Sequence, residues 1–307
     1  MYIYLTYIIY IMEKHIFKFG ESSLAMIVPK KWAEKRGLKP SSEIYASEDE
    51  NGNLVISSSQ MAKREVEKIV NPRMNPDLLA RWVGIHYMYG ASRIRILSQQ
   101  GIPHALSDAI EAKVSRECPG FEITGQTNTE LVIEDFTNMK EIDLDRIIGR
   151  IRSLVDQEIM EISTGNAKTI GKLEKLVNRF YMLGVRYIHI TQPNDSIKYF
   201  TVLELLENTS DSLESLAPSG LQGAGGVLDG LRKLFSDSFK GLAGDEKAIE
   251  SIEDQRGAVI KRINRLKADK LQVQSLKGIA DNATKIAEFG LKAEKKKDEF
   301  TIPVKEK

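Results

Sequence analysis

A basic segment near the N terminus is the first feature of this sequence that could bind a charged partner. Seven basic and three acidic residues lie between Glu13 and Pro40, in a chain of 307 residues whose net charge is only +1. Lys30 and Lys31 follow Pro29 at the predicted start of a short helix, where the helix dipole attracts anions. This arrangement suits contacts to phosphate groups, but a solvated basic face would have the same composition.

A stripe of acidic residues in the C-terminal half could bind a cation. Glu204, Glu207, Asp211 and Glu214 are spaced three, four and three residues apart, which places four carboxylates on one face of a helix. Their mutual repulsion would be relieved by a hard cation such as magnesium, manganese, calcium or iron. An ordinary hydrated helix face is the alternative.

No residue pattern in the chain indicates catalysis. Cys118 is the only cysteine, which excludes a disulfide within the chain and suits a reducing cytoplasm. His86, His104 and His189 are scattered, and there is no phosphate-binding loop, nucleophile elbow or zinc-protease motif. No glutamate is followed three residues later by a histidine, as di-iron helical bundles require. We therefore expect a protein that is not an enzyme.

Residues 13–59 must position the N-terminal basic residues, and their pattern predicts short strands around one short helix. Alternating apolar residues predict strands at 15–19 and 24–28, a helix follows Pro29, and Asn51-Gly52 predicts a hairpin turn. Residues 1–12 are apolar but too short to cross a membrane. We expect them to be an extra strand or a mis-called start with Met12 as the first residue. No later segment is long and apolar enough to be transmembrane.

The rest of the chain predicts an α+β multidomain protein. Residues 61–140 have the order β-α-β-α-β-β of a small α/β domain, and almost everything beyond Asp143 has helical periodicity. The helical part looks duplicated, with repeat 1 over 141–217 and repeat 2 over 227–291. Each repeat would be a three-helix unit. We expect a flexible linker at 218–226 and a disordered charged tail at 292–307.

The N-terminal segment resembles the SpoVT/AbrB swapped-hairpin domain. The resemblance rests on a glycine turn, an apolar strand ending in Pro29, a short helix, the run GLKP and a β-hairpin, in GESSLAMIVPKKWAEKRGLKPSSEIYA and ENGNLVIS. In that family two chains interlock their hairpins into a dimer that binds DNA. The DNA contacts implied by the resemblance are Lys14, Lys18, Lys30, Lys31, Lys35 and Arg36. Glu21 stands where many members carry an arginine.

The helical part resembles the PhoU regulators of phosphate uptake. LLENTSDSLESLA and LKGIADNATKIAE are similar to the acidic signature with which that family holds metal clusters. The resemblance implies a possible divalent or iron-type metal. Its ligands would be Glu174, Glu207, Asp211 and Asp281. Asn178, Gly257 and Lys277 stand where acids are usual, so that a metal-free bundle is the alternative.

Together the two resemblances predict a cytoplasmic, homodimeric transcription regulator that binds DNA and controls phosphate uptake. The combination of these parts, in this order, is found mainly in archaeal regulators. The alternative is an adaptor that does not bind DNA and docks on phosphate transporter components or a sensor kinase, with the hairpin module serving only to dimerise.

Overall fold

The computed structural model describes residues 15–21, 23–48, 54–57, 64–193, 195–219, 221 and 224–291. The chain divides into two compact units, one up to residue 62 and the other from residue 63 onward. It is an α+β protein with a small antiparallel β module at the N terminus and a larger helical region at the C terminus. Predictions for residues 1–12, for Asn51-Gly52 and for the tail 292–307 lie outside the described residues.

In the residues that the structure describes, the N-terminal module contains two antiparallel strand pairs and one helix. Strands β1 (Ile16–Phe19) and β2 (Ser23–Met26) pair with each other, and β3 (Tyr45–Glu48) pairs with β4 (Leu54–Ser57). Helix α1 (Lys30–Lys35) lies between the two pairs in sequence and is only six residues long. The strands and the helix lie where the alternation of apolar residues and Pro29 predict them, although β2 ends two residues earlier.

The second unit begins with a four-stranded sheet covered on one face by two helices. The elements are β5 (Arg64–Ile69), α2 (Pro76–Met88), β6 (Ala91–Leu97), α3 (His104–Glu117), β7 (Phe121–Gln126) and β8 (Glu130–Asp135). This order agrees with the predicted β-α-β-α-β-β. The strand order is β5-β6-β8-β7, with β5 parallel to β6 and the other pairs antiparallel. A buried apolar core forms between the sheet and the helices.

The opposite face of the sheet carries ion pairs. Arg93 lies 3.6 Å from Glu134, and Arg95 lies 3.0 Å from Glu67 and 2.8 Å from Glu130. The pairs cross from strand to strand, because residues in register on neighbouring strands point to the same face. A sheet with one apolar and one charged face is covered on one side only.

Six α-helices follow in the described part of the second unit. They are α4 (Leu144–Ile162), α5 (Ala167–Thr191), α6 (Ser196–Leu216), α7 (Gly225–Leu242), α8 (Glu246–Ile263) and α9 (Lys270–Glu288). Helices α4–α6 pack on one another, as do α7–α9, and the two sets meet through α4 with α7 and α6 with α9. One continuous apolar core joins both sets. No helix within the described ranges has the length and hydrophobicity needed to span a bilayer.

The sequence similarity between the two sets has a local structural counterpart. Gly165 and Gly244 both adopt positive φ after a helix, and Asn166 and Asp245 each cap the next helix with a side-chain oxygen. The duplication as a whole, like its PhoU-like character, stays a prediction. In the segment 218–226, Leu221 and Ala224 are buried, and α7 begins at Gly225.

Candidate nucleic-acid interface

Five of the six predicted DNA contacts lie among the described residues, and all five are exposed. Lys18 lies on β1, whereas Lys31 and Lys35 share one face of α1 because they are four residues apart. Arg36 directly follows that helix. A helix of six residues has only a small dipole, so the attraction for anions must come mainly from these side chains. Lys14 lies outside the described residues.

Lys30 differs from the other cations of α1 because it has a nearby carboxylate. Its Nζ lies 3.8 Å from Oε1 of Glu34, one turn further along the helix. Both side chains are largely exposed, so the pair contributes little to stability. Lys30 can therefore leave Glu34 for a phosphate at small cost.

The described residues of the β module form no buried interior. Every described side chain of residues 15–57 is exposed or only partly buried, including Ile16, Phe17, Phe19 and Leu24. The Phe19 side chain is 72% exposed, whereas apolar strand residues of the second unit, such as Ile94 and Ile133, are fully buried. Two-stranded hairpins are marginal in water unless an apolar face is covered. The module therefore needs another surface to cover these side chains.

The predicted metal ligands are distributed over three helices. Asp281 on α9 accepts a hydrogen bond of 2.7 Å from Nε of Arg256 on α8, and Arg256 also lies 3.4 Å from Glu253. The Arg256 guanidinium therefore neutralises Asp281 and Glu253. In the first set, Glu174 accepts a hydrogen bond from the amide of Asn178.

The first set contains a buried carboxyl group that sequence reasoning missed. Glu158 on α4 is fully buried; its Oε1 accepts a 2.7 Å hydrogen bond from Ser210, and its Oε2 has no partner among the residues described. Burial is the main reason why its pKa rises to about 8, and the carboxylates of Glu174, Glu214 and Asp211 raise it further. The sequence does contain a signal for the burial of Glu158, because this residue lies in the apolar stripe of Val155, Ile159 and Ile162.

Neighbouring acids have the same preference for the neutral form. Burial, followed by the charges of Glu214 and Asp211, raises the pKa of Glu174 to about 7. Burial and the charge of Asp211 raise the pKa of Glu207 to about 7. In the described part of the chain, no three His, Cys, Asp or Glu side chains converge closely enough to hold a metal ion. The described side chains therefore form no metal centre in this structure, and metal binding stays a prediction from the resemblance.

Arg186 on α5 is a second buried charge that was missed, and it joins the helices to the α/β fold. Its side chain is 1% exposed and donates hydrogen bonds to the carbonyl oxygens of Tyr87 and Ala91 and to the carboxylate of Asp135. Its guanidinium carbon lies 4.7 Å from the ring centroid of Tyr87 and 5.1 Å from that of Phe121. The sequence gives no signal for these partners, which lie 51 to 99 residues away.

The described part of the β module combines antiparallel strand pairs, exposed cations and exposed apolar strands, an arrangement that resembles the swapped-hairpin class of small domains. Comparison with known proteins agrees: residues 18–64 match the family model described as antidote-toxin recognition MazE, bacterial antitoxin. Domains of this AbrB/MazE type bind DNA and form dimers, which is consistent with a DNA-binding regulator. No curated protein and no solved structure matches the chain.

Proposed function

We propose that this protein is a homodimeric, DNA-binding transcription regulator whose β modules bind DNA. The observation that carries the proposal is the joint presence, on one module matched by the MazE family model, of exposed cations and uncovered apolar strands. The apolar side chains require a partner surface, and a second copy of the module supplies one. The cations of both copies are then available for phosphate contacts.

We also propose that the protein controls phosphate uptake. This proposal rests on the resemblance of α6 and α9 to PhoU proteins, and the α-helical region would act as the sensing domain. We expect the affinity for promoter DNA to change when phosphate or a component of a phosphate transporter is added. If neither phosphate nor any transporter component changes this affinity, control of phosphate uptake is contradicted. The proposal of a DNA-binding dimer would be unaffected.

The first prediction concerns dimerisation. Replacing Phe17 and Phe19 with serine should weaken dimerisation at least about a hundredfold, because each buried phenyl ring contributes ~1.5–3 kcal/mol. The two rings point to the same face of β1, since they are two residues apart. Sedimentation equilibrium of the full chain over a range of concentrations measures the effect.

The control for this measurement is Ile197→Ser, which removes an apolar side chain that is 81% exposed on α6. It should dimerise like the unaltered chain. Far-UV circular dichroism establishes that the large helical unit is still folded in each variant. A wild-type chain that sediments as a monomer at every concentration would overturn the dimer proposal.

The second prediction concerns DNA. Lys30→Ala combined with Lys31→Ala should weaken binding to mixed-sequence duplex DNA and reduce its salt dependence. Each phosphate contact contributes about 0.9 to the slope of log K against log salt concentration. Because the double substitution removes two lysines from each chain, the dimer loses up to four phosphate contacts, and the slope should become shallower by about 3 to 4. Fluorescence anisotropy with a labelled duplex, between about 50 and 200 mM salt, measures both quantities.

A matched pair of exposed lysines provides the control. Lys168→Ala with Lys172→Ala removes the same charge from α5 and should leave the salt slope unchanged. If the Lys30 and Lys31 variant binds DNA with the same affinity and slope as the unaltered chain, these lysines do not contact DNA. The adaptor, in which the module only dimerises, would then be the better explanation.

A further inference from the structure

A groove between α4 and α7 is a cavity that the proposed function does not use. It has a volume of about 680 Å³. Its lining residues are Gly149, Arg152, Ser153, Asp156, Arg232, Lys233, Phe235, Ser236, Asp237 and Lys240. A neighbouring hollow of about 420 Å³ shares Gly149 and Arg152 and extends the groove toward Lys198 and Tyr199 on α6. These volumes lie in the range of small-molecule sites.

The groove contains more positive than negative charge, and its acids are mostly neutralised. Arg232 lies 2.9 Å from Asp156, and Lys240 lies 2.7 Å from Asp237. Asp145 is the remaining acid and lines the smaller hollow.

Three cations remain without an ion pair among the described side chains: Arg152, Lys233 and Lys198. They are available to an anion that enters the groove. Such an anion would also meet the side-chain hydroxyl groups of Ser153 and Ser236.

Arg152 occupies the junction of the two cavities and is held there by an aromatic ring. Its guanidinium carbon lies 4.7 Å from the ring centroid of Phe239. This contact keeps the charge at the junction without using its hydrogen-bond donors. In the smaller hollow, Phe239, Tyr199, Val202 and Leu242 form a surface with apolar and aromatic character. An anionic group and a planar group can therefore lie on opposite sides of Arg152.

Gly149 keeps the floor of the groove open at a cost to its helix. It lies in the interior of α4, where glycine is about 1 kcal/mol less favourable than alanine. No neighbouring atom lies within 4 Å of the position that a Cβ would take, so that packing does not require glycine there. A longer side chain at this position would project into both cavities, which share this residue.

We propose that this groove binds a small organic phosphate with a planar group. The phosphate would lie against Arg152, Lys233 and the hydroxyls of Ser153 and Ser236, and the planar group would lie over the apolar surface of the smaller hollow. Adenosine monophosphate has this chemistry and serves as the probe. The site lies within the second unit and does not depend on whether the β module binds DNA.

Isothermal titration of the full chain with adenosine monophosphate tests the proposal. We expect a Kd between about 10 µM and 1 mM, as is usual for a ligand of this size. Adenosine, which lacks the phosphate, and inorganic phosphate, which lacks the planar group, should each bind at least about tenfold more weakly. Arg152→Gln should weaken the binding of adenosine monophosphate at least about tenfold, which corresponds to the loss of a charged contact.

Two further variants separate loss of binding from loss of folding. Arg146→Gln removes an exposed cation of α4 that does not line the groove, and it should bind the probe like the unaltered chain. Gly149→Leu should abolish binding and leave the melting temperature equal or higher, since leucine favours a helix more than glycine does. Absence of binding up to about 10 mM probe, or Arg152→Gln binding within about twofold of the unaltered chain, would overturn the proposal.

Discussion

Replacing Arg186 with methionine is expected to lower the free energy of unfolding of the second unit by about 3–5 kcal/mol. The substitution keeps most of the side-chain volume but removes the guanidinium donor from Oδ2 of Asp135 and from the carbonyl oxygens of Tyr87 and Ala91. Removing one partner of a buried ion pair is costly because the other charge stays desolvated. Urea unfolding followed by circular dichroism measures the loss.

Two comparison variants test whether the loss of stability comes from the burial of the Arg186–Asp135 pair. Arg146→Met removes an arginine whose side chain is 89% exposed and whose carboxylate partner is Asp143, and it should change the free energy of unfolding by no more than about 0.5 kcal/mol. Asp135→Asn in the Arg186→Met background should recover part of the loss, since a neutral amide is less costly to bury than an unpaired carboxylate. A loss below about 1 kcal/mol for Arg186→Met alone would show that water satisfies these groups.

Glu158→Gln is expected to stabilise the protein at alkaline pH. The raised pKa values of Glu158 (about 8), Glu174 (about 7) and Glu207 (about 7) mean that folding takes up protons. The folded state therefore loses stability as pH rises from the ordinary glutamate pKa, 4.5, toward about 8. At pH 8.5 the neutral amide should stabilise on the order of 5 kcal/mol, since the pKa of Glu158 rises from 4.5 to about 8 and one pKa unit corresponds to about 1.4 kcal/mol.

The measurement is the free energy of unfolding at several pH values between about 5 and 8.5. The unaltered chain should lose stability over this range, and Glu158→Gln should lose less. Glu250→Gln, which changes an exposed glutamate of α8, should follow the unaltered chain. Stability that rises with pH in the unaltered chain would show that the buried carboxyl groups are compensated by a cation.

The positions of helices and strands were largely readable from the sequence, because local signals mark their ends. Pro76 and Asn75 begin α2, Gly90 follows it with positive φ, and Asn166 and Asp245 cap α5 and α8. The strand order β5-β6-β8-β7 was not readable, because it depends on which strand edges meet after the helices have packed on the sheet.

Some charged residues of the second unit could be recognised as unusual from the sequence, whereas the partners of others could not. Glu158 could have been singled out, because an acid inside an apolar stripe is visible in the sequence alone. The partners of Arg186 and Asp281 depend on contacts between distant elements, and the α4–α7 groove depends on how two helices align. The basic residues of the β module were found from local composition; the five candidate DNA contacts that are described are exposed, and their contact with DNA stays a prediction.

The described residues of the β module form no buried interior, which in a DNA-binding dimer would make gene control depend on protein abundance. If the hairpins become ordered only when two chains meet, then at low abundance the concentration of DNA-competent pairs increases with the square of the chain concentration. A twofold fall in the amount of protein would then reduce the number of pairs about fourfold. Under this arrangement, synthesis and turnover of the chain would regulate its target genes even without any small molecule.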